Sequence, residues 1–483
     1  MKPLLLPALP HRPHLPRPAR RIAALSAISP LLLCLASAAS ASAASSTGSY
    51  SPDKIVVGYA RRPPTAKSAR SSGSELDGVE EAVRTRLVAL PRGSSVTAAL
   101  SRLRRQPGVA WAVPDYRAHA TAIALPDDVG NTTTAEGWTA LQWNFVGTFG
   151  VQAPEAWANV AADGAPGGAG VIVAVLDTGV AYANRGRFRR SPDFNSYQFV
   201  RGYDFVDKDP YPNDRNGHGT FVAATIAEAT NNHYGLTGLA YGARIMPVRV
   251  LDSEGEGEAS TIAEGVRYAA RHGAQVINLS LEFSPGVTAS DIPELISAIH
   301  YADRRGVLVV AAAGNEGHAA IAYPARAPDV VSVGATTEHG CLAAYSNDGA
   351  GLSIVAPGGG PDANLPGDPN CRPELPAGRD VFQVTFSGQS VQRFGIPPGY
   401  EGTSMATPHV AATAALIIAS GVIGKHPTPA ALTARLQATA RKLGGGGDER
   451  LYGAGLVDAA AATAPGGPGA IATAPGSPSP AAG

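Results

Sequence analysis

Gly170-Val171-Ile172-Val173-Ala174-Val175-Leu176-Asp177-Thr178-Gly179 is a run of small and branched apolar residues that stops at a carboxylate and a glycine turn. With no polar position inside it, the run reads as a strand buried on both faces. Similar runs follow at 244–250, 276–281, 307–312, 330–333 and 352–355, and helical patterns lie at 220–228, 260–272, 292–305 and 404–419. Apolar strands alternating with helices imply an α/β fold, a parallel sheet sandwiched by helices. Ligands of such sheets bind beyond the carboxyl ends of the strands, and Asp177 stands at one of those ends.

Upstream the pattern changes. Residues 54–59, 86–90 and 109–113 read as strands and 95–105 as an amphipathic helix followed by Gly108, a small α+β unit within 50–117. Residues 60–78 are polar and 119–150 poorly patterned. At the N-terminus Lys2, Arg12, Arg17, Arg20 and Arg21 precede an apolar stretch at 22–36 and small residues up to Ala44. That is the build of a secretory signal cleaved near 41–44, and Pro30 together with its shortness argues against a membrane span. Removing it takes Cys34 away and leaves Cys341 and Cys371, which pair if the compartment is oxidising or stay as two buried thiols.

The 483 residues are 44% hydrophobic and 16% charged, with 56 glycines and 40 prolines, a globular and loop-rich composition. The formal charge of zero hides an asymmetry: residues 1–118 hold 17 Lys+Arg against 6 Asp+Glu, the remainder 22 against 33. No basic run with interleaved aromatics suggests nucleic-acid binding.

Acyl transfer by a serine needs a hydroxyl beside an imidazole, a carboxylate to fix the imidazole's tautomer, and donors for the developing oxyanion. His218 lies in Asn216-Gly217-His218-Gly219-Thr220, at the mouth of a small-residue helix. Ser404 lies in Gly402-Thr403-Ser404-Met405-Ala406-Thr407-Pro408-His409, where an Ala-rich helix opens. Read singly, Asp177, His218 and Ser404 have plain alternatives: a turn aspartate, a surface histidine and a capping serine. Read together, and in the order Asp, His, Ser, their three stretches resemble the signatures of the subtilisin-like (subtilase) serine peptidases. Ala311-Ala312-Ala313-Gly314-Asn315-Glu316 resembles the segment that carries the family's oxyanion-hole asparagine.

The resemblance implies a serine endopeptidase with Asp177, His218 and Ser404 as catalytic triad and Asn315 as oxyanion donor beside the Ser404 N–H. It implies an inhibitory prosegment at 45–118 and a peptidase domain at 119–462, between the signal at 1–44 and a tail at 463–483 whose Ala/Gly/Pro-rich composition reads as disordered. The basic N-terminal part would then neutralise an acidic enzyme, although a basic export signal and an ordinary acidic surface give the same balance. Self-processing is expected within 116–126, and Gly453-Ala454-Gly455-Leu456-Val457-Asp458 resembles the family's closing motif. Protein or peptide substrates, the chain's own prosegment as intramolecular inhibitor, secretion, a monomer, no membrane association after signal removal and no cofactor for the chemistry are expected.

By the same resemblance Gly255-Glu256-Gly257 and Ser280-Leu281-Glu282 hold the substrate as an added strand, and Ala313-Gly314 line the pocket for the residue before the scissile bond. Two departures stand out. Many relatives have glycines where this chain has Glu282-Phe283, and Phe221 stands where a second histidine is common. Glu282 could intrude on the pocket, could favour basic side chains with Glu254, Glu256 and Glu258, or could belong to a solvated acidic rim. Asp204-Phe205-Val206-Asp207-Lys208-Asp209 resembles a structural calcium loop of some relatives, with Tyr211 a poor fit for a ligand. Other readings fare worse. An α/β-hydrolase esterase needs Gly-x-Ser-x-Gly, and Ala406 stands at the second glycine. An inactive binding protein or an exopeptidase on the same scaffold remain as rivals.

Overall fold

The computed structural model describes residues 50–59, 84–91, 95–116, 125–131, 136–317, 320–388, 390–445, 448–466 and 468–469. The expected signal at 1–44, the polar stretch 60–78, most of 116–126 and most of the tail lie outside the described residues. The chain forms two units, Met1–Thr121 and Ala122–Gly483.

In the first unit β1 (Tyr50–Tyr59) is the middle strand of an antiparallel sheet, between β2 (Arg84–Ala89) and β3 (Val109–Tyr116). Ile55 and Val57, two apart, turn to one face and are fully buried. Helix α1 (Val96–Leu103) covers that face with Val96, Ala99, Leu100 and Leu103. Their spacing of three and four makes one apolar stripe, and the Ser95 hydroxyl caps the helix by accepting from the Ala98 N–H at 3.3 Å.

The second unit is built on a seven-stranded sheet. Its strands are β4 (Ile172–Asp177), β5 (Tyr203–Asp204), β6 (Arg244–Arg249), β7 (Val276–Leu279), β8 (Leu308–Ala312), β9 (Val330–Thr336) and β10 (Ile354–Pro357). Their order is β10-β9-β8-β7-β4-β6-β5, with every pair parallel. From β4 the chain goes to the edge strand β5, places β6 between the two, then crosses to add β7 through β10 on the other side. The order therefore reverses at β4, and the crevice at its carboxyl end is the natural ligand site.

The uninterrupted apolar run of β4 is explained by its two covered faces. Val173 and Val175 join a core built with helices α5 (His218–Ala227) and α8 (Thr403–Ser420), as well as α4 (Ala153–Ala162). Ala174 and Leu176 join the core on the other face with α6 (Ala259–Arg271) and α7 (Pro293–Arg304). The short helices α2 (Trp138–Leu141) and α3 (Trp143–Val146) and helix α4 bury Trp138, Trp143 and Trp157. The expected strand 276–281 ends at Leu279, so Ser280-Leu281-Glu282 leaves the sheet as an extended rim. Cys341 and Cys371 form a disulfide with a Cα–Cα distance of 4.8 Å. Closing a loop of this size contributes about 3–4 kcal/mol in the chain-entropy account.

Helix α8 is buried almost all round, and His409 sits in its middle with no exposure. Its Nδ1 lies 2.9 Å from the Met405 carbonyl, and Nε2 lies 2.8 Å from Asn144 Nδ2. A carbonyl can only accept and an amide nitrogen only donate, so the ring is neutral with its proton on Nδ1. Burial lowers its pKa to about 4, against opposing backbone hydrogen bonds. The unfolded chain therefore binds a proton between about pH 6.5 and 4 that the folded chain does not. This share of stability is intact above pH 6.5 and is lost as pH falls toward 4, at most roughly 3 kcal/mol. Denaturant titrations on an inactive Ser404→Ala background should show a shallower acid loss for His409→Gln. Equal slopes would remove His409 from the acid sensitivity.

Candidate active site

Strand β4 delivers Asp177 to the switch point fully buried. Its Oδ1 accepts from the Thr178 N–H at 2.7 Å and faces His218 Nδ1 at 2.8 Å. His218 begins α5, and its ring is about a quarter exposed, at 26% of the side chain. Two glycines make this approach possible. Gly217 has φ +112°, and a Cβ on Gly219 would stand 2.1 Å from the Gly179 carbonyl and 3.1 Å from Asp177 Oδ1.

Asp214, which the sequence reading passed over, anchors the turn. Its buried carboxylate accepts from the N–H groups of Asn216, Gly217 and Thr220 and from the hydroxyls of Thr178 and Thr220. An aspartate a few residues before a helix opening on small residues was the available signal. Burial raises its pKa against those hydrogen bonds. For His218, burial acts to lower the pKa, but the charge and hydrogen bond of Asp177 and the charge of Asp214 outweigh it and the value is raised above 6.5.

Ser404 is the second residue of α8, behind Gly402 with φ +148°. In the resting arrangement its hydroxyl donates to the Ser280 carbonyl at 3.1 Å. The tie is reciprocal, for Ser280 Oγ donates to the Ser404 carbonyl at 2.8 Å. That carbonyl is free because Pro408, four residues on, has no N–H to complete the helical bond. Asn315 follows β8, and its Oδ1 accepts from the Thr403 N–H at 2.8 Å and lies 3.0 Å from the Thr403 hydroxyl. Its own N–H and Nδ2 donate to Glu282, at 3.1 and 3.0 Å.

His218 and Ser404 share the wall of a cleft of about 560 Å³ with Gly255, Glu256, Gly257, Ser280, Leu281 and Glu282. Asp252 shapes the first rim, its Oδ1 accepting from the N–H groups of Glu254 and Glu256 around Gly255, which has φ +87°. Ala313 is fully buried and neither it nor Gly314 lines the cleft; a Cβ on Gly314 would lie 2.2 Å from Asn347 Nδ2 and 2.3 Å from Glu282 Oε2. Glu282 therefore stands in the space in front of Gly314. Glu254, Glu256 and Glu258 are exposed, whereas Glu282 is half-buried. Its pKa is raised by burial and then by the charge of Glu316. Phe221 is core, stacked on Tyr400 at 4.3 Å between ring centroids.

The residues at 204–209 do not fit a calcium ion. Arg249 NH1 sits 2.9 Å from Asp204 Oδ2 and 3.3 Å from Asp207 Oδ2, Arg215 also pairs with Asp207, and Tyr211 lies under the Arg185 guanidinium at 3.4 Å. The protein's own cations take these oxygens. Among the described residues no group of three or more His, Cys, Asp or Glu side chains is arranged to hold a metal ion.

A buried carboxylate on an imidazole, with a serine hydroxyl at a helix mouth in the wall of the same cleft, is a set of groups able to run acyl transfer through a serine. Comparison with known proteins gives the class directly: the subtilase family profile matches residues 168–455. A second profile, that of the fervidolysin N-terminal prodomain, matches residues 36–115. Subtilisin BL of Lederbergia lenta is 42% identical over 299 residues, which are 61% of this chain and 91% of that protein. The thermophilic serine proteinase of Bacillus sp. strain AK1 is 32% identical over 410 residues, covering 84% of this chain and 86% of the relative. Among solved structures, a protease of Pseudoalteromonas arctica superposes with a TM-score of 0.55 at 31% identity, over 70% of this chain and 99% of that one. The chain is a serine endopeptidase with an N-terminal prodomain. It belongs to the subtilase family.

Proposed function

We propose that the chain is a secreted, self-processed zymogen whose peptidase acts through an acyl-enzyme on Ser404. The observation that carries this reading is the 2.8 Å contact of His218 Nδ1 with buried Asp177, in the wall of the cleft that holds Ser404. Asp177 keeps the Nδ1 proton, so Nε2 is the free base. The Ser404 hydroxyl turns from the Ser280 carbonyl, gives its proton to Nε2 and attacks the substrate carbonyl. Asn315 Nδ2 and the Ser404 N–H take the oxyanion. The imidazolium, stabilised by Asp177, protonates the leaving amine, and water repeats the sequence to release the acyl group. The rims Gly255-Glu256-Gly257 and Ser280-Leu281-Glu282 hold the substrate backbone between them.

The domain limits follow the same reading: signal 1–44, prosegment 45–118, peptidase 119–462 and tail 463–483. Calcium has no part in the chemistry, and the guanidinium of Arg249 does at 204–209 what a cation would do. A monomer acting on proteins or peptides, held by its own prosegment until cut, is the working state.

A fluorophosphonate probe, which phosphonylates activated serines, tests the site. The adduct should map to Ser404. Its rate of formation should rise with pH through a midpoint above 6.5, because only neutral His218 accepts the proton. An adduct on another serine, or a rate independent of pH from 5 to 9, would sink the assignment.

A further inference from the structure

Glu282 puts a negative charge where the proposed reaction needs a positive field. Both of its oxygens are engaged by Asn315, one with the backbone N–H and one with Nδ2, the amide nitrogen read above as the oxyanion donor. Behind it lies a second carboxylate: Glu282 Oε2 and Glu316 Oε2 stand 2.3 and 3.0 Å from the position of a Cβ on Gly314. Glu316 is held by Asn347 Nδ2 at 2.6 Å. The ion pairs among the described residues include neither glutamate. Among the described residues the cleft wall carries Glu254, Glu256 and Glu282 but no lysine or arginine. A half-buried carboxylate with no cationic partner among the described residues opposes a second negative charge developing nearby. It also draws the Asn315 amide toward itself.

We propose that Glu282 makes this peptidase select arginine or lysine immediately before the scissile bond, the substrate cation taking the carboxylate and freeing Asn315 for the oxyanion. A guanidinium entering the cleft that Glu282 lines forms a charge-assisted pair with it. That pair cancels the charge beside the oxyanion, so the benefit falls on the transition state and is read in kcat as well as KM. A neutral side chain of the same size fills the pocket and leaves the charge in place. The proposal rests on the reading of Asn315 and Ser404 given above.

The test compares two peptide p-nitroanilides, identical except for arginine or citrulline before the scissile bond; citrulline keeps the shape and lacks the charge. Rates are normalised to Ser404 titrated with the fluorophosphonate. Wild type should prefer arginine by at least about tenfold in kcat/KM, the scale of a hydrogen bond to a charged group. Glu282→Gln and Glu282→Ala should bring the ratio close to one. In Glu282→Ala, kcat on the citrulline peptide should rise, because the amide is released and the charge is gone. A wild-type ratio near one, a ratio that survives both substitutions, or a fall in that kcat would overturn the proposal. Failure to titrate Ser404 at all would instead indict the catalytic assignment.

Discussion

Ser404→Ala is expected to lower kcat by about 10⁶-fold and to leave the chain uncut between Tyr116 and Pro126. The magnitude is the one known for subtilisin, a member of this chain's own family. Its size follows from the role proposed for Ser404. The hydroxyl stands at the mouth of α8 and shares a cleft wall with His218, and its removal leaves the oxyanion donors with no tetrahedral intermediate of the enzyme to bind. Residual hydrolysis would be that of water in a site that still binds substrate. Intact masses of wild type and variant, expressed without residues 1–44, separate the outcomes. A processed wild type beside a full-length variant establishes self-cleavage. If both are cut alike, an outside peptidase matures the chain and only the loss of turnover speaks for Ser404.

Asp177→Asn should cost about 10⁴-fold in kcat with KM little altered, again on the scale known for such triads. Here the geometry gives the cause. Asp177 Oδ1 accepts from both the Thr178 N–H and His218 Nδ1. An asparagine whose oxygen keeps the Thr178 bond offers its NH₂ elsewhere, and one that turns the NH₂ to His218 forces the proton onto Nε2. In that tautomer the imidazole cannot accept the serine proton. Because the substitution is isosteric, the melting temperature should move far less than the rate. A variant that loses structure and activity together would point to a structural role, and one with near-normal kcat would remove Asp177 from the mechanism.

What the sequence made legible was local. Asp177 is marked by the end of an apolar run, His218 by glycines on both sides, Ser404 by the start of an alanine-rich helix. These cues lie within a few residues of each site and survive without knowledge of the fold. The parts that stayed open depend on which strands are neighbours. Asp204 and Arg249 face each other only because β5 and β6 pair in that register, and that pairing turns an apparent calcium loop into an ion pair. Glu282 had three readings because nothing in the chain between 282 and 314 says that these two backbones approach. Asp214 had only its place before a helix to mark it, and its partners, the N–H groups of Asn216, Gly217 and Thr220 and the hydroxyls of Thr178 and Thr220, meet it only in the folded turn. The helix α4 follows a lead-in whose pattern is weak, and its own buried stripe is only Ala153, Ala156, Trp157 and Val160.

The strand order has a consequence for when this protein can act during its own synthesis. His218 and Asp177 are 41 positions apart, but Thr403 reaches Asn315 across 88 and Ser404 reaches Ser280 across 124. Parallel pairing forces such long spans, and chains dominated by distant contacts fold slowly. The residues that would complete the site arrive last on the ribosome, after every strand of the central sheet. If Ser404 is the nucleophile as proposed, a chain cut short before it holds Asp177 and His218 and has no serine to activate.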